Sequence, residues 1–152
     1  MDAMNIYEEA VMYCLTANRE TFVSPHFDIG GGWSRPDFVA IRPPKKKVYV
    51  VEVTAKGEVS RLLGKVRDRE NQWFSQLREH LEAGGIVEKD WSYSVLAFIR
   101  CDQLTWFRER VAGEANVTAL CLEDAIAHWE WDSKVSTPNF SFETGALKRA
   151  AQ

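Results

Sequence analysis

The spacing of apolar residues along the chain switches between helical and extended patterns. Near the N-terminus they recur every three or four residues from Met4 to Leu15, which predicts an amphipathic helix. Further on, the nearly continuous β-branched run from Val48 to Val53 is typical of a strand. In chain order, the pattern predicts a helix over 3–18, strands over 21–29, 36–42 and 47–55, a helix over 60–83, a strand over 93–99, a helix over 102–112, a strand over 117–122 and a helix over 123–131.

The order of these elements predicts an α/β protein with a mixed β-sheet of about five strands flanked by helices. A short proline-containing connection, Pro43-Pro44-Lys45-Lys46, favours a hairpin between the second and third strands. The later strands alternate with helices, which favours an interior sheet covered on both faces. We expect residues 1–132 to form one domain, and 133–152 to form a C-terminal extension packed on it or trailing it. Residues 145–151 are predicted to form a short helix.

Composition and charge change this picture little. Hydrophobic residues make up 45% of the chain and charged residues 27%, as in ordinary globular proteins. The formal net charge of -3 provides no global attraction to nucleic acid or anionic membranes, so any such contact requires a local patch. No leader pattern and no long apolar run is present, and we expect a cytoplasmic protein without membrane contact. Cys14, Cys101 and Cys121 lack the spacing of a zinc site and are predicted to be buried free thiols.

Two carboxylates are predicted to face each other across the hairpin. If the turn follows Arg42, this residue pairs with Lys47, and Asp37 then lies opposite Glu52. Directly opposed residues have Cβ atoms about 4.5 to 5.5 Å apart on one face of the sheet. Two carboxylates this close repel each other unless a cation lies between them or one of them binds a proton. Because Mg²⁺ is commonly held by carboxylates, water and phosphate oxygens, the pair indicates phosphodiester hydrolysis.

The same strand carries two more polar residues. Side chains alternate along a strand, so Thr54 and Lys56 lie on the face of Glu52, whereas Val51 and Val53 face the other way. A flexible lysine at this place would stabilise negative charge in the transition state. Lys56 is therefore a candidate catalytic residue.

The motif made by these residues is Pro36-Asp37, fourteen intervening residues, then Glu52-Val53-Thr54 with Lys56 beyond. It resembles the PD-(D/E)XK, or restriction-endonuclease-like, nuclease superfamily. The element order over residues 3–122 is similar to that family's core, a helix, a three-strand meander, a helix and a further strand. The resemblance implies a DNA nuclease in which Asp37, Glu52 and the peptide carbonyl of Val53 hold Mg²⁺ or Mn²⁺. Thr54 stands where the family's pattern has lysine.

Further polar residues are candidates for support of this site or for contact with DNA. Glu8 lies at the edge of the apolar face of the first helix, either as an additional acid or as an ordinary boundary carboxylate. One face of the long helix is basic and polar, and it either contacts phosphates or is simply solvated. The candidate supporting residues are Glu8, Thr54, Lys65 and Gln72, and the candidate nucleic-acid-binding residues are Lys45, Lys46, Arg61 and Arg69.

The aromatic residues and histidines add less. Trp33, beside the glycine triplet, is the tryptophan predicted to contact substrate, whereas Trp73 and Trp106 are predicted to be core residues. The histidines show no metal-ligand spacing, and we expect no catalytic role for them. His26 would lie near the carboxylates only if the glycine loop folds over them.

Two functions follow from these patterns. The first is a metal-dependent DNA endonuclease, with a second copy of the chain as a possible partner. The alternative is a catalytically degenerate nuclease-fold protein that acts as a nucleic-acid-binding module, or as a protein-interaction or assembly module. Thr54 favours the alternative, and the tryptophans of the C-terminal half, Trp129 and Trp131, offer a surface for a partner protein.

Overall fold

The computed structural model describes residues 4–17, 19–31, 33–55 and 59–125, together with 139–140 and 147–148. Within these ranges, none of the helices has the length and apolar character needed to cross a membrane. The elements are α1 (Ile6–Thr16), β1 (Phe22–Pro25), β2 (Phe38–Arg42), a 3-10 turn (Pro43–Lys45), β3 (Lys47–Thr54), α2 (Val59–Arg67), a π-helical segment (Glu70–Phe74), α3 (Ser75–Ala83), β4 (Ser92–Ile99), α4 (Cys101–Val111), β5 (Val117–Cys121), β6 (Asn139–Phe140) and β7 (Leu147–Lys148).

The main sheet has five strands in the order β1-β2-β3-β4-β5. Strands β1, β2 and β3 pair antiparallel, with a twelve-residue connection between β1 and β2 and the short 3-10 turn between β2 and β3. Strands β3, β4 and β5 pair parallel, because α2, the π-helical segment and α3 form one crossover and α4 forms the next. The prediction of an α/β protein with a mixed sheet of about five strands is confirmed.

Alternation along β3 divides the core between the two faces of this sheet. Val48 and Val50 point to the face covered by α2, α3 and α4. Tyr49 and Val51 point to the face covered by α1. Burial of each large apolar side chain contributes about 1.5 to 3 kcal/mol, so the sheet is stabilised from both sides. Trp73 is fully buried, and its Nε1 donates a hydrogen bond to the Ser34 carbonyl oxygen at 2.7 Å.

The helix predicted over 60–83 is present but not regular, because α2 ends at Arg67 and a π-helical segment precedes α3. The carboxylate of Asp68 accepts hydrogen bonds from the side chains of Asn71 and Gln72 at 2.8 and 3.2 Å. Side-chain hydrogen bonds between residues three and four positions apart are compatible with a helix, and here they join the end of α2 to the segment after it. The π-helical segment that follows widens the turn, and it changes the direction of the polar residues beyond Lys65. The single polar stripe predicted on this helix is therefore broken.

Several element ends differ from the prediction by a few residues. Helix α1 begins after Asn5, whose side chain accepts a hydrogen bond from the Glu8 backbone N–H at 2.9 Å. Helix α4 begins at Cys101, one residue before the expected cap. Helix α3 ends at the expected glycines, where Gly85 adopts a left-handed φ of 69°.

The predicted elements at the C-terminus are only partly within the described residues. Residues 122–125 are helical, in agreement with the start of the helix predicted over 123–131. The short helix predicted over 145–151 is wrong at Leu147–Lys148, because these residues pair with Asn139–Phe140 as a two-stranded sheet. The domain boundary predicted at residue 132, and Trp129 and Trp131, lie outside the described residues.

The prediction of three free thiols is wrong for two cysteines, because Cys101 and Cys121 form a disulfide. Strands β4 and β5 are parallel neighbours, and Ile99 pairs with Cys121 at their carboxyl ends. Cys101 follows directly as the first residue of α4, and the Cα atoms of the two cysteines are 4.9 Å apart. This separation is normal for a disulfide. Cys14 is free and buried, as predicted.

Candidate functional site

The hairpin has the register expected from its turn. Arg42 pairs with Lys47, and the ladder continues to Phe38 opposite Val51. Asp37 is the next residue before β2, so continuation of the register places it opposite Glu52. Its Oδ2 atom accepts a hydrogen bond from the backbone N–H of Val53 at 2.7 Å, which fixes the carboxylate against β3.

Glu52 has a carboxyl group whose ionisation is strongly disfavoured. Burial makes the largest contribution, and the negative charge of Asp37 and a hydrogen bond to it add to the effect. Together these raise the pKa of Glu52 well above its ordinary value, although the positive charge of Lys65 acts in the opposite direction. Without a cation, Glu52 therefore favours its protonated form beside Asp37.

An open cavity of about 580 Å³ lies over these carboxylates at the carboxyl end of β3. Its size is within the range of about 300–1,000 Å³ that is typical of ligand pockets. The acidic side chains lie beside residues of β3, and cationic side chains of α2 line the cavity as well. The residues around it are Asn5, Tyr7, Asp37, Glu52, Val53, Thr54, Ala55, Arg61, Leu62 and Lys65.

A glutamate and a histidine adjoin the carboxylate pair. His26 Nε2 lies 3.0 Å from the Glu8 carboxylate, and both side chains are largely buried. The backbone N–H of His26 donates a hydrogen bond to the Asp37 carbonyl oxygen at 2.9 Å. Glu8 is near enough to contribute to the raised pKa of Glu52. The structure thus brings the predicted Glu8 to the site.

His26 was missed by the sequence reasoning. Pro25 pairs with Phe38, so His26, one residue further along, lies opposite Asp37. This register is set by the pairing of β1 with β2, and no short motif in the sequence encodes it. His26 also adopts a left-handed backbone conformation with φ 50°, which is uncommon for a residue other than glycine.

Of the four candidate residues predicted on the long helix, two line this cavity and two do not. Arg61 and Lys65 line the cavity. Arg69 instead forms an ion pair with Glu114 at 2.8 Å. Gln72 is bonded to Asp68 and is absent from the cavity lining. The interruption after α2 is the physical reason for this division.

The lysines at the hairpin turn lie at the other end of β3. Lys46 is six positions before Glu52, a separation of about 20 Å along a strand. It forms an exposed ion pair with Asp90 at 2.6 Å, and Lys45 is exposed beside it. These two lysines do not contribute to the cavity. Lys56 lies outside the described residues.

Trp33 and Trp106 differ from their predicted roles, whereas Trp73 does not. Trp33 is only 7% exposed, and its Nε1 donates a hydrogen bond to Asp28 at 3.2 Å, so the predicted substrate contact is wrong. Trp106 is 38% exposed and stacks on Arg110 instead of entering the core. Trp73 is a core residue, as predicted.

The donors of the carboxylate pair are chemically suited to a hard cation. Asp37 and Glu52 offer carboxylate oxygens, and β3 offers the peptide carbonyl of Val53, which are ligand types that Mg²⁺ and Mn²⁺ accept. Glu8 does not join the pair in a compact cluster of three ligands. Comparison of the chain with protein-family models, curated proteins and solved structures finds no match.

Proposed function

We propose that the protein is a metal-dependent endonuclease that hydrolyses phosphodiester bonds in DNA, with Asp37 and Glu52 as metal ligands. The observation that carries the proposal is the half-buried carboxyl group of Glu52 against Asp37, beside a cavity that Arg61 and Lys65 also line. Such a pair is unfavourable by itself, and a divalent cation relieves the repulsion. The resemblance to the PD-(D/E)XK superfamily supports the proposal and extends it to a restriction-endonuclease-like core.

The ligand set would consist of the two carboxylates and the peptide carbonyl of Val53. Mg²⁺ or Mn²⁺ bound there would neutralise phosphate charge and lower the pKa of water. The hydrogen bond from the Val53 N–H to Asp37 orients one carboxylate before any ligand arrives. The hydrogen bond between Glu8 and His26 supports the same region, because the His26 backbone N–H holds the backbone of Asp37.

Positive charge on the cavity lining is suited to the phosphates of DNA. Lys65 is close enough to influence the ionisation of Glu52 directly. Its ammonium group would stabilise negative charge that develops on the phosphate, and Arg61 would bind a neighbouring phosphate. Lys65 is thus positioned to replace the lysine that Thr54 does not supply. Lys56 is the other candidate for this role.

The second candidate function is a nuclease-fold protein that binds nucleic acid or a partner protein without cleavage. Two observations favour it. Thr54 occupies the usual lysine position, and the hydrogen bond between Glu52 and Asp37 lets the pair persist with a shared proton. The site is therefore compatible with a chain that no longer uses a metal.

A plasmid-cleavage assay with Mg²⁺ or Mn²⁺ distinguishes the two functions. We expect native protein to cut, and Glu52→Gln and Asp37→Asn to lose activity by at least about 10- to 100-fold, the loss caused even by changes outside the first shell of a metal site. Glu109→Gln is the matched control, because Glu109 is exposed on α4. Equal cutting by native protein and both site variants would mean that the nuclease site is elsewhere.

The lysines are tested in the same assay and by DNA binding. We expect Lys65→Ala to reduce both cleavage and affinity, whereas Lys46→Ala changes neither, because Lys46 lies at the far end of β3. Lys56→Ala tests the other candidate. Native protein that binds DNA in a Lys65-dependent way but never cuts it would support the second function and contradict the first.

A further inference from the structure

A second cluster of ligating side chains lies at the carboxyl ends of β4 and β5. It consists of Cys101, Cys121 and Glu123, and one donor atom from each lies within 4.8 Å of the other two. Both carboxylate oxygens of Glu123 accept hydrogen bonds from the backbone N–H of Cys101, at 3.2 and 3.0 Å. The glutamate is thereby held beside the sulfur atoms.

The scaffold of this cluster is rigid. Cys121 is the last residue of β5, and its neighbour on β4 is Ile99. Cys101 opens α4, and Glu123 lies in the helical residues 122–125 that follow β5. Two parallel strands and the two helical segments after them thus deliver the three donors to one place. Cys101 is exposed and Cys121 is half-buried, so solvent reaches the cluster.

We propose that Cys101, Cys121 and Glu123 bind a zinc ion when the disulfide is reduced. Zinc binds thiolates at about 2.3 Å and carboxylate oxygens at about 2.0 to 2.2 Å with tetrahedral geometry. These bond lengths separate neighbouring ligand atoms by roughly 3.5 to 3.8 Å, so the two sulfurs must move apart by roughly 1.7 Å from a normal disulfide separation once the bond is reduced. With these three ligands, one coordination position stays open for water.

Zinc binding and the disulfide exclude each other. An external dithiol breaks the S–S bond, delivers two electrons and two protons to the cysteine sulfurs, and becomes a disulfide itself. Zinc then displaces both thiol protons. A reducing compartment therefore favours the zinc form, and an oxidising one favours the disulfide.

Cys14 provides an internal control. It lies on α1, and burial raises its pKa to about 12. Its sulfur lies 3.7 Å from the Ala125 carbonyl oxygen, and the whole residue is only 1% exposed. The thiol stays neutral and inaccessible, so it is not expected to bind a metal.

The test is a Co²⁺ titration of the full chain after reduction with a phosphine and removal of the reductant under argon. We expect one thiolate-bound Co²⁺ per chain, with a thiolate-to-cobalt charge-transfer band and the visible bands of tetrahedral cobalt, both abolished by Zn²⁺. The oxidised chain should show neither band. Reduced native protein without a charge-transfer band would overturn the proposal.

Single variants assign the ligands. Cys101→Ser and Cys121→Ser should each weaken Co²⁺ binding by at least about tenfold, since even outer-shell changes have effects of this size. Glu123→Gln keeps a hydrogen-bond acceptor for the Cys101 N–H but removes the charge, and it should also weaken binding. Cys14→Ser should bind like native protein. Native affinity in Glu123→Gln would disprove the three-ligand site.

Two further measurements keep the test decisive. Circular dichroism of each variant checks folding, and if a serine variant does not fold, iodoacetamide labelling of the reduced native chain replaces it. Zinc should protect Cys101 and Cys121 from this reagent, and unprotected cysteines would contradict the site. Glu52→Gln should retain the cobalt spectrum, because the zinc proposal does not depend on nuclease activity.

Discussion

Replacement of Glu52 by glutamine should stabilise the metal-free protein at neutral pH. In the native chain this residue is half-buried beside Asp37, and both the partial loss of solvent and the nearby negative charge oppose its ionisation. Glutamine has nearly the same shape and donates a hydrogen bond to Asp37 as the protonated acid does. The substitution therefore removes the electrostatic penalty and leaves the packing of β3 unchanged.

The size of the effect can be bounded in two ways. Two unit charges about 5 Å apart, the separation of directly opposed residues, repel by about 3 kcal/mol at an effective dielectric constant near 20. Alternatively, holding a glutamic acid protonated at pH 7 costs about 3.7 kcal/mol relative to its usual pKa. The second value is the upper limit of the penalty at pH 7, because Glu52 binds a proton if keeping it ionised costs more than this. We expect Glu52→Gln to gain about 1 to 3 kcal/mol.

The gain should depend on pH in a defined direction. A carboxyl group with a pKa raised by folding binds more protons in the folded chain than in the unfolded chain. The penalty from Glu52 is therefore absent below its unfolded pKa of about 4.3 and grows as the pH rises towards the folded pKa. The difference between native protein and Glu52→Gln should vanish near pH 4 and be largest at neutral pH.

Thermal and urea unfolding in the presence of a chelator measure this difference. A gain of 1 kcal/mol corresponds to an increase in Tm of about 2 to 4 °C for a domain of this size. Glu109→Gln, on the exposed face of α4, controls for the loss of one negative charge. Addition of Mg²⁺ or Mn²⁺ should stabilise the native chain and not Glu52→Gln. Loss of stability in Glu52→Gln at pH 7, or an equal gain at pH 4, would refute this reasoning.

Three further predictions concern other parts of the fold. Cys14 should resist iodoacetamide until the chain is unfolded, because burial raises its pKa to about 12; mass spectrometry of labelled peptides measures this. Trp73→Phe should reduce the free energy of unfolding by about 2 to 4 kcal/mol in urea titrations, because a core cavity forms and the Ser34 carbonyl loses its donor. Lys46→Ala should leave the urea midpoint unchanged, because its ion pair with Asp90 is exposed.

The hairpin and its carboxylate pair could be predicted from the sequence because local rules determine them. Two prolines and the lysines after them cannot continue a ladder, so the turn between β2 and β3 fixes the pairing of Arg42 with Lys47. Once this pair is set, alternation determines the face of every residue on β3. The same rule correctly placed Val51 and Val53 against α1, away from Glu52.

Features that depend on non-local strand pairing or on an irregular helical turn could not be predicted from local sequence patterns. The disulfide depends on the parallel alignment of β4 with β5, which brings together residues that are 20 positions apart. The position of His26 depends on the register of β1 with β2. The irregularity after α2 is the π-helical segment Glu70–Phe74, which the apolar spacing of the sequence does not encode. A helical wheel treats every turn as regular and therefore placed Arg69 and Gln72 beside Lys65.

The Asp37–Glu52 pair and the cluster of Cys101, Cys121 and Glu123 both lie towards the carboxyl ends of strands in the main sheet. They differ in chemistry, so their roles can be tested separately. The interior of β4 is apolar from Val95 to Ile99, so polar ligands occur only where this strand ends. Glu52 is the exception, because it lies inside β3 among valines. An ionised carboxylate there destabilises the fold unless a proton or a cation neutralises its charge. Carboxylate oxygens favour Mg²⁺ or Mn²⁺, whereas thiolates favour zinc. Each ion should therefore bind its own cluster, and loss of one should leave the other intact.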